Sequence, residues 1–230
     1  MIQKKTAAII LKRIDYGEAD RILTVLTPDV GKLSLIAKGV RKVKSKLAGG
    51  IELLSTSEIS YIPGRGSVST LVSSRLIRYY GQIIQNIDRT MLAYELIKLL
   101  DKVTEDQPEA SYYELLEQAF CVLDDKNVSV DFIRAWFSAQ LLRLAGHTPN
   151  LQTSAQGQKL SVSQRYDFDY DSTAFTPRDE GTFGANEIKY VRLLFSANRA
   201  ETIALVQGGD ELAPFCAPLI QTLRQLHLRV

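Results

Sequence analysis

The sequence is short of the residues that carry covalent and metal chemistry. It holds two histidines and two cysteines in 230 residues. Cys121 and Cys216 stand far apart and neither belongs to a C-x-x-C pair. A disulfide framework is therefore not expected, nor a structural zinc site built on cysteine pairs. Both cysteines sit among apolar residues and read as buried free thiols. His147 follows a helix end and His227 lies near the last residue, so each reads as a cap or surface residue rather than a base. No G-x-x-x-x-G-K-S/T phosphate loop, G-x-S-x-G elbow or H-E-x-x-H pair occurs. The chain reads as a non-enzyme without a cofactor. Asp167, Asp169 and Asp171 alternate with Tyr166, Phe168 and Tyr170, the pattern of a half-buried strand, and no metal site is expected there or at Asp124-Asp125.

Long apolar runs are also missing. The longest, such as 7–11, fall far short of the ~20 residues that span a bilayer. No signal-peptide cleavage pattern follows the N-terminal Met1-Ile2-Gln3-Lys4-Lys5, so the expected compartment is the cytoplasm, with no membrane partner. Aromatics are thin at the front of the chain. Tyr16, Tyr61, Tyr79 and Tyr80 are the only rings in residues 1–80.

What is present is charge, unevenly spread. Residues 1–80 hold 14 Lys and Arg against 6 Asp and Glu, a balance of +8. Residues 81–230 hold 14 against 20, a balance of −6. A basic first third ahead of an acidic remainder gives the chain one preferred face for a polyanion.

The basic part reads as strands at 6–14, 21–27, 32–37, 51–62 and 68–77, separated by turn signals at 15–18, 28–31 and 63–66. On the fourth strand Leu53, Ser55, Ser57, Ile59 and Tyr61 share one face, with Leu54, Thr56, Glu58, Ser60 and Ile62 on the other. Five short strands with half-buried alternation predict a small closed barrel of the OB type. From Gly81 the period becomes helical. Helices are expected at 88–103, from a Ser111–Glu114 capping box onward, at 130–145, from an Asn186 cap to 196, and at 211–228, where Pro214 and Pro218 predict a late start or a kink. Residues 150–185 read as a loop-rich lobe anchored by Tyr166, Phe168, Tyr170 and Phe175. The fold class is α+β with two domains, 1–80 as an OB barrel and 81–230 as a mainly helical domain.

The segment from Lys38 to Lys46 places Lys38, Arg41, Lys42, Lys44 and Lys46 in nine positions with no acid between them. It lies between two barrel strands. Such a loop can neutralise several phosphates, and each one neutralised releases counterions. Gly39 allows close backbone approach, and Ser45 can donate to a phosphate oxygen. Lys12, Arg13, Arg21, Lys32, Arg65 and Arg75 extend the patch where their strands face that way. The thin aromatic content points to phosphate-led, sequence-independent binding, with Tyr16 and Tyr61 as the stacking candidates. The bland alternative is a solvated loop that aids solubility.

The stretch Ala8–Thr24 (AIILKRIDYGEADRILT), then Thr27, Gly31-Lys32-Leu33, Ile36–Arg41 and Ser45-Lys46-Leu47, resembles the N-terminal signature of the RecO family. Leu144–Leu151 (LAGHTPNL) is similar to the family's helix end before its zinc-binding insertion. The resemblance implies an N-terminal OB-fold and a helical C-terminal domain. It implies binding to single- and double-stranded DNA, annealing of complementary strands, and help in loading recombinase at gaps. Its implied partners are RecR and the C-terminal tail of the single-stranded DNA-binding protein SSB. The implied DNA-binding residues are Arg21, Lys32, Lys38, Arg41, Lys42, Lys44 and Lys46. Arg134, Arg143 and Arg192 are possible flanks for an acidic tail. One departure is plain: no cysteine occurs from 122 to 215, so the family's four-cysteine zinc site has no ligands and the lobe must be held by packing. An RNA-binding OB protein and a peptide-binding scaffold are the alternative readings.

Overall fold

Alternating apolar residues in the N-terminal third make five strands: β1 (Lys4–Tyr16), β2 (Asp20–Thr27), β3 (Gly31–Ala37), β4 (Ser55–Ile62) and β5 (Val68–Tyr79). These come from a computed structural model that describes residues 2–104, 110–206 and 208–228. The strands close into a barrel in the order β1-β2-β3-β5-β4, with β1 returning to β4. All pairs are antiparallel except β3 with β5. This is the expected OB-type barrel. Ala8, Ile10, Leu23, Val25, Leu35, Ala37, Ile59, Tyr61 and Leu71 fill its interior. Tyr61 is thereby excluded as a stacking ring.

A bulge in β1 changes which residues face out. Register shifts between Ile10, paired with Val25, and Lys12, paired with Thr24. Leu11 is the extra residue, so the inward phase passes from even to odd positions. Lys12 and Ile14 then point outward beside Thr24 and Ile22.

The fourth strand is shorter than its alternation suggests. Residues 51–54 are not strand; Ala48–Gly50 forms a 3₁₀ turn, and Leu54 has φ +57, a left-handed conformation that ends any extended run. Nor is β4 half-buried. Thr56 and Ser60, on its outer face, are buried along with Ser55, Ser57, Ile59 and Tyr61.

The first compact unit runs from Met1 to Asp125 and includes α1 (Ile87–Val103) and α2 (Ala110–Leu123) as well as the barrel. These helices pack on β1 and β2, whose outward Ile9 and Leu26 are fully buried. Tyr80 meets Phe120 edge-on at 5.3 Å, and its hydroxyl lies 3.1 Å from the Thr56 hydroxyl. Asn86 caps α1 by accepting from the Arg89 N–H. Ser111 does not cap α2, because the helix already begins at Ala110.

The second unit, Lys126–Val230, holds α3 (Val130–Leu144), α4 (Ala185–Ser196), α5 (Ala200–Ala204) and α6 (Gly209–His227). Buried Gln140 on α3 donates to the last carbonyls of α4, Leu194 at 2.6 Å and Phe195 at 3.2 Å. Trp136 donates to the Ala197 carbonyl at 3.2 Å. The α3 exit explains its Gly-His-x-Pro sequence. Gly146 takes φ +81, its N–H bonds Arg143 O, and the His147 N–H bonds Leu142 O. These two bonds satisfy carbonyls the helix end would leave orphaned.

Two caps differ from expectation. Gly184, not Asn186, precedes α4, and the Glu187 carboxylate accepts the Gly184 N–H at 2.8 Å. The last helix starts early, at Gly209, and runs through both prolines. Pro214 and Pro218 lie on its exposed side, while Ala213, Cys216, Leu219, Ile220 and Leu223 are buried opposite. Burial of that face offsets the missing donors.

The lobe between α3 and α4 is a three-stranded sheet, β6 (Asn150–Ser154), β7 (Tyr166–Asp169) and β8 (Ala174–Pro177), ordered β6-β8-β7. Phe175, fully buried, meets Tyr166, Phe168 and Phe183 edge-on at 6.3, 5.1 and 5.5 Å. The lobe is thus packed around a cluster of rings.

Candidate nucleic-acid interface

The basic loop is exposed but anchored. Lys38, Arg41, Lys42, Lys44 and Lys46 all face solvent, and Val43 between them is fully exposed. Val40 is buried in the barrel core and Leu47 packs against it. The Gly39 N–H donates to Asp20 Oδ1 at 2.7 Å, and the Arg41 N–H donates to Ala19 O at 2.9 Å. Gly39 takes φ +62, which favours glycine at this bend. Ser74 on β5 donates to the Leu47 carbonyl at 2.9 Å. Ser45 is half-buried and its hydroxyl accepts the Leu47 N–H, so it shapes the loop.

Asp15 gathers two of the expected cations. Its Oδ1 lies 2.9 Å from Arg21 Nε and its Oδ2 lies 3.5 Å from Arg41 Nε. The hydrogen bond from Arg21 holds its carboxyl below the ordinary range, and the charges of Arg41, Arg21 and Arg13 act the same way. Arg21, the start of β2 and the loop therefore form one cluster. Lys32 is elsewhere. Its ammonium donates to the Asp101 carbonyl at 2.6 Å and carboxylate at 3.0 Å, on the last turn of α1. Arg13 pairs with Glu52 at 2.7 Å, and Arg75 shares Glu58 with Lys5. Lys12 and Arg65 are exposed.

An apolar row next to this cluster is not evident from sequence. Ile14 pairs with Ile22, and Ile22 with Ile36, all on the outer face of β1-β2-β3. Ile14 is 48% exposed and Tyr16, two residues on, is 54% exposed. Lys12, Thr24 and Ser34 form the next row. Helices cover this face at its Ile9–Leu26 end. The open part combines apolar surface, one ring and flanking lysines, which suits a strand whose bases lie flat and whose phosphates meet the loop. In sequence Ile14 closes the first strand-like segment, 6–14, and nothing along the chain marks it as outward-facing.

The remaining candidates are locally engaged. Arg134 pairs with Asp131, Arg143 donates to Gln140 and Arg192 donates to the Leu151 carbonyl. A cavity of about 410 Å³ between α4 and the start of α6 is lined by Glu187 and Glu211 against one Lys189, the wrong balance for an acidic tail. Asp167 accepts from Thr182 and Arg178, and Asp169 from Ser172 and the Asp171 N–H; these bonds hold both carboxyls low. His147 stacks on His227 at 4.9 Å. Cys216 is buried, its thiol pushed up to about 12 by desolvation. Cys121 is half-buried rather than buried and accepts from Arg78 at 3.1 Å. Among the described residues no group of three or more His, Cys, Asp or Glu could hold a metal, and no helix is long and apolar enough to cross a membrane.

Comparison with known proteins covers both parts of the chain. Residues 1–80 match the family model described as Recombination protein O N terminal, and residues 84–213 match Recombination protein O C terminal. The chain is 34% identical over 164 residues to the DNA repair protein RecO of Dehalococcoides mccartyi strain 195, covering 70% of this chain and 64% of that one. It is 33% identical over 149 residues to the DNA repair protein RecO of Rhodopirellula baltica (63% and 54%). It is 34% identical over 152 residues to that of Moorella thermoacetica (66% and 56%). The matched stretch is under two thirds of each of these relatives' lengths. With both family models matched in order along one chain, the protein belongs to the RecO family.

Proposed function

We propose that this protein is a non-enzymatic mediator of DNA repair and recombination. It binds single- and double-stranded DNA, anneals complementary strands and helps load recombinase at SSB-coated gaps. Residues 1–80 act as the nucleic-acid-binding domain and residues 81–230 as the domain that meets protein partners. RecR and the SSB C-terminal tail are the partners this reading names, and the bacterial cytoplasm and nucleoid its location.

The observation that carries the reading is the anchored array of five exposed cations beside an open apolar sheet face. Annealing needs no covalent step. Two polyanions repel, and a basic surface that holds both lowers the repulsion and raises their local concentration. A fixed loop does this at less ordering cost than a flexible one. Lys38, Arg41, Lys42, Lys44 and Lys46 contact phosphates, and Arg21 joins them through the Asp15 cluster. Lys32, engaged with Asp101, stands outside this first contact set.

The test is annealing of SSB-coated complementary strands by the wild type and by a Lys42→Glu, Lys44→Glu, Lys46→Glu variant. The wild type anneals, and the folded variant loses annealing and shows a flatter salt dependence. Equal annealing by the two would refute the role of the loop. Matched RNA oligomers bound more tightly than DNA would favour an RNA-metabolism role instead.

A further inference from the structure

Asp15 is an odd residue to find at the centre of a polyanion site. Its two oxygens face the Nε atoms of Arg21 and Arg41, and Arg13 adds its field. We infer that the Asp15 carboxylate occupies, in the free protein, the position of a nucleic-acid phosphate: Arg21 and Arg41 form a two-arginine phosphate subsite that Asp15 fills until a backbone phosphate displaces it. The inference rests on the reading of the 38–46 loop as a DNA-binding element.

Three features support it. A carboxylate and a phosphodiester offer the same thing to a guanidinium, two anionic oxygens in a plane. The two arginines approach from different elements, the start of β2 and the basic loop, and meet at Asp15, with Arg41 also donating to the Gly17 carbonyl. The cluster is also accessible, with side chains 54% exposed at Asp15, 28% at Arg21 and 37% at Arg41. Exposed ion pairs of this kind are weak and exchange readily. A lone phosphate gains little over the resident carboxylate. A phosphate carried by a strand already held on Lys42, Lys44 and Lys46 arrives at high effective concentration and displaces it. The subsite therefore rejects free anions and accepts polyanions. Meanwhile Asp15 keeps both arginines ordered, so the strand meets a preformed pair.

The experiment compares DNA affinity, over a range of salt, for wild type, Asp15→Asn, Asp15→Ser, and Glu18→Gln. Glu18 is exposed in the turn that follows β1 and its replacement changes net charge equally. Both Asp15 variants are expected to bind roughly two- to fivefold more tightly than wild type. Their salt slope should match that of the wild type, because the same phosphate occupies the subsite in both complexes. Glu18→Gln should give a smaller gain. The Asp15→Asn gain should vanish when Arg21 and Arg41 are both replaced by Gln. Weaker binding by folded Asp15 variants would overturn the inference and make Asp15 a purely positioning residue. An equal effect of Glu18→Gln would overturn it as well, leaving only the general field. If the triple lysine variant binds normally while Asp15→Asn still gains, the loop reading fails and the subsite stands.

Discussion

The Lys32 ammonium lies 2.6 Å from the Asp101 carbonyl and 3.0 Å from its carboxylate, joining β3 to the last turn of α1. A cation there also complements the carbonyl end of the helix. Lys32→Ala is expected to lower stability by about 1 kcal/mol, the scale of one partly exposed charged bond. DNA affinity should change little. Denaturant unfolding and binding titrations on the same variant check both halves. A loss of affinity matching that of a loop lysine would place Lys32 among the contact residues.

Gly39 and Asp20 set the bend of the basic loop. Gly39→Ala forces a side chain into the left-handed region, at roughly 1 kcal/mol or more. Asp20→Ala leaves the Gly39 N–H without its partner, at about 1–2 kcal/mol. Both variants keep all five loop cations. They should nevertheless lose DNA affinity, because the charges are no longer held in one arrangement. Affinity measured at fixed salt tests this; unchanged binding would mean that charge alone matters.

Tyr16→Ala should weaken single-stranded DNA more than duplex. Loss of one stacked base is worth about 1–3 kcal/mol, and a duplex offers no free base to the ring. Anisotropy titrations with matched single- and double-stranded oligomers read the difference. An equal loss on both substrates would assign Tyr16 to general packing.

Acid should loosen the fold through four carboxylates. Arg21 at Asp15, Lys5 at Glu58, Thr182 at Asp167 and Ser172 at Asp169 each hold the carboxyl below its ordinary range. A pKa lowered by folding stabilises the native state above the unfolded pKa. That contribution is lost as pH falls through the folded value. Thermal midpoints should therefore be flat from neutral pH to the carboxylate range, near pH 4, and then fall. Asp167→Asn should reduce the acid-dependent part of the fall in the second unit.

Phe175 is the centre of the ring cluster in the lobe. Phe175→Ala should cost roughly 3–5 kcal/mol through the cavity it leaves. Circular dichroism and limited proteolysis would show whether the β6–β8 sheet loosens while DNA binding by the barrel persists. A variant as stable as wild type would mean the rings are not what holds the sheet.

Much of this was legible because it is local. Strand alternation, turn residues and helix period depend on neighbours in sequence, and they located the barrel, four of the helices closely, and the exposed cations at 38–46. What escaped depends on a single residue or on distant partners. The Leu11 bulge leaves no mark in composition, yet it turns Ile14 outward onto an open face. The Lys32–Asp101 bond joins residues 69 positions apart, and Arg41 meets Asp15 across 26. No pattern along the chain says which opposite charges will meet. The early start of α6 was hidden because local rules for proline weigh more, in sequence, than a buried face whose partners are elsewhere.

The way the barrel closes also bears on when the loop takes its shape. The loop takes its anchors from the β1–β2 turn, at Ala19 and Asp20, and from Ser74 on the last strand. Closure itself waits for β1 to find β4 and for β3 to find β5. Pairings between distant segments form slowly compared with local hairpins. The five charges are thus present as soon as residue 46 is made, but their arrangement is not. On the proposed reading, grip on a polyanion belongs to the finished barrel rather than to the five charges alone.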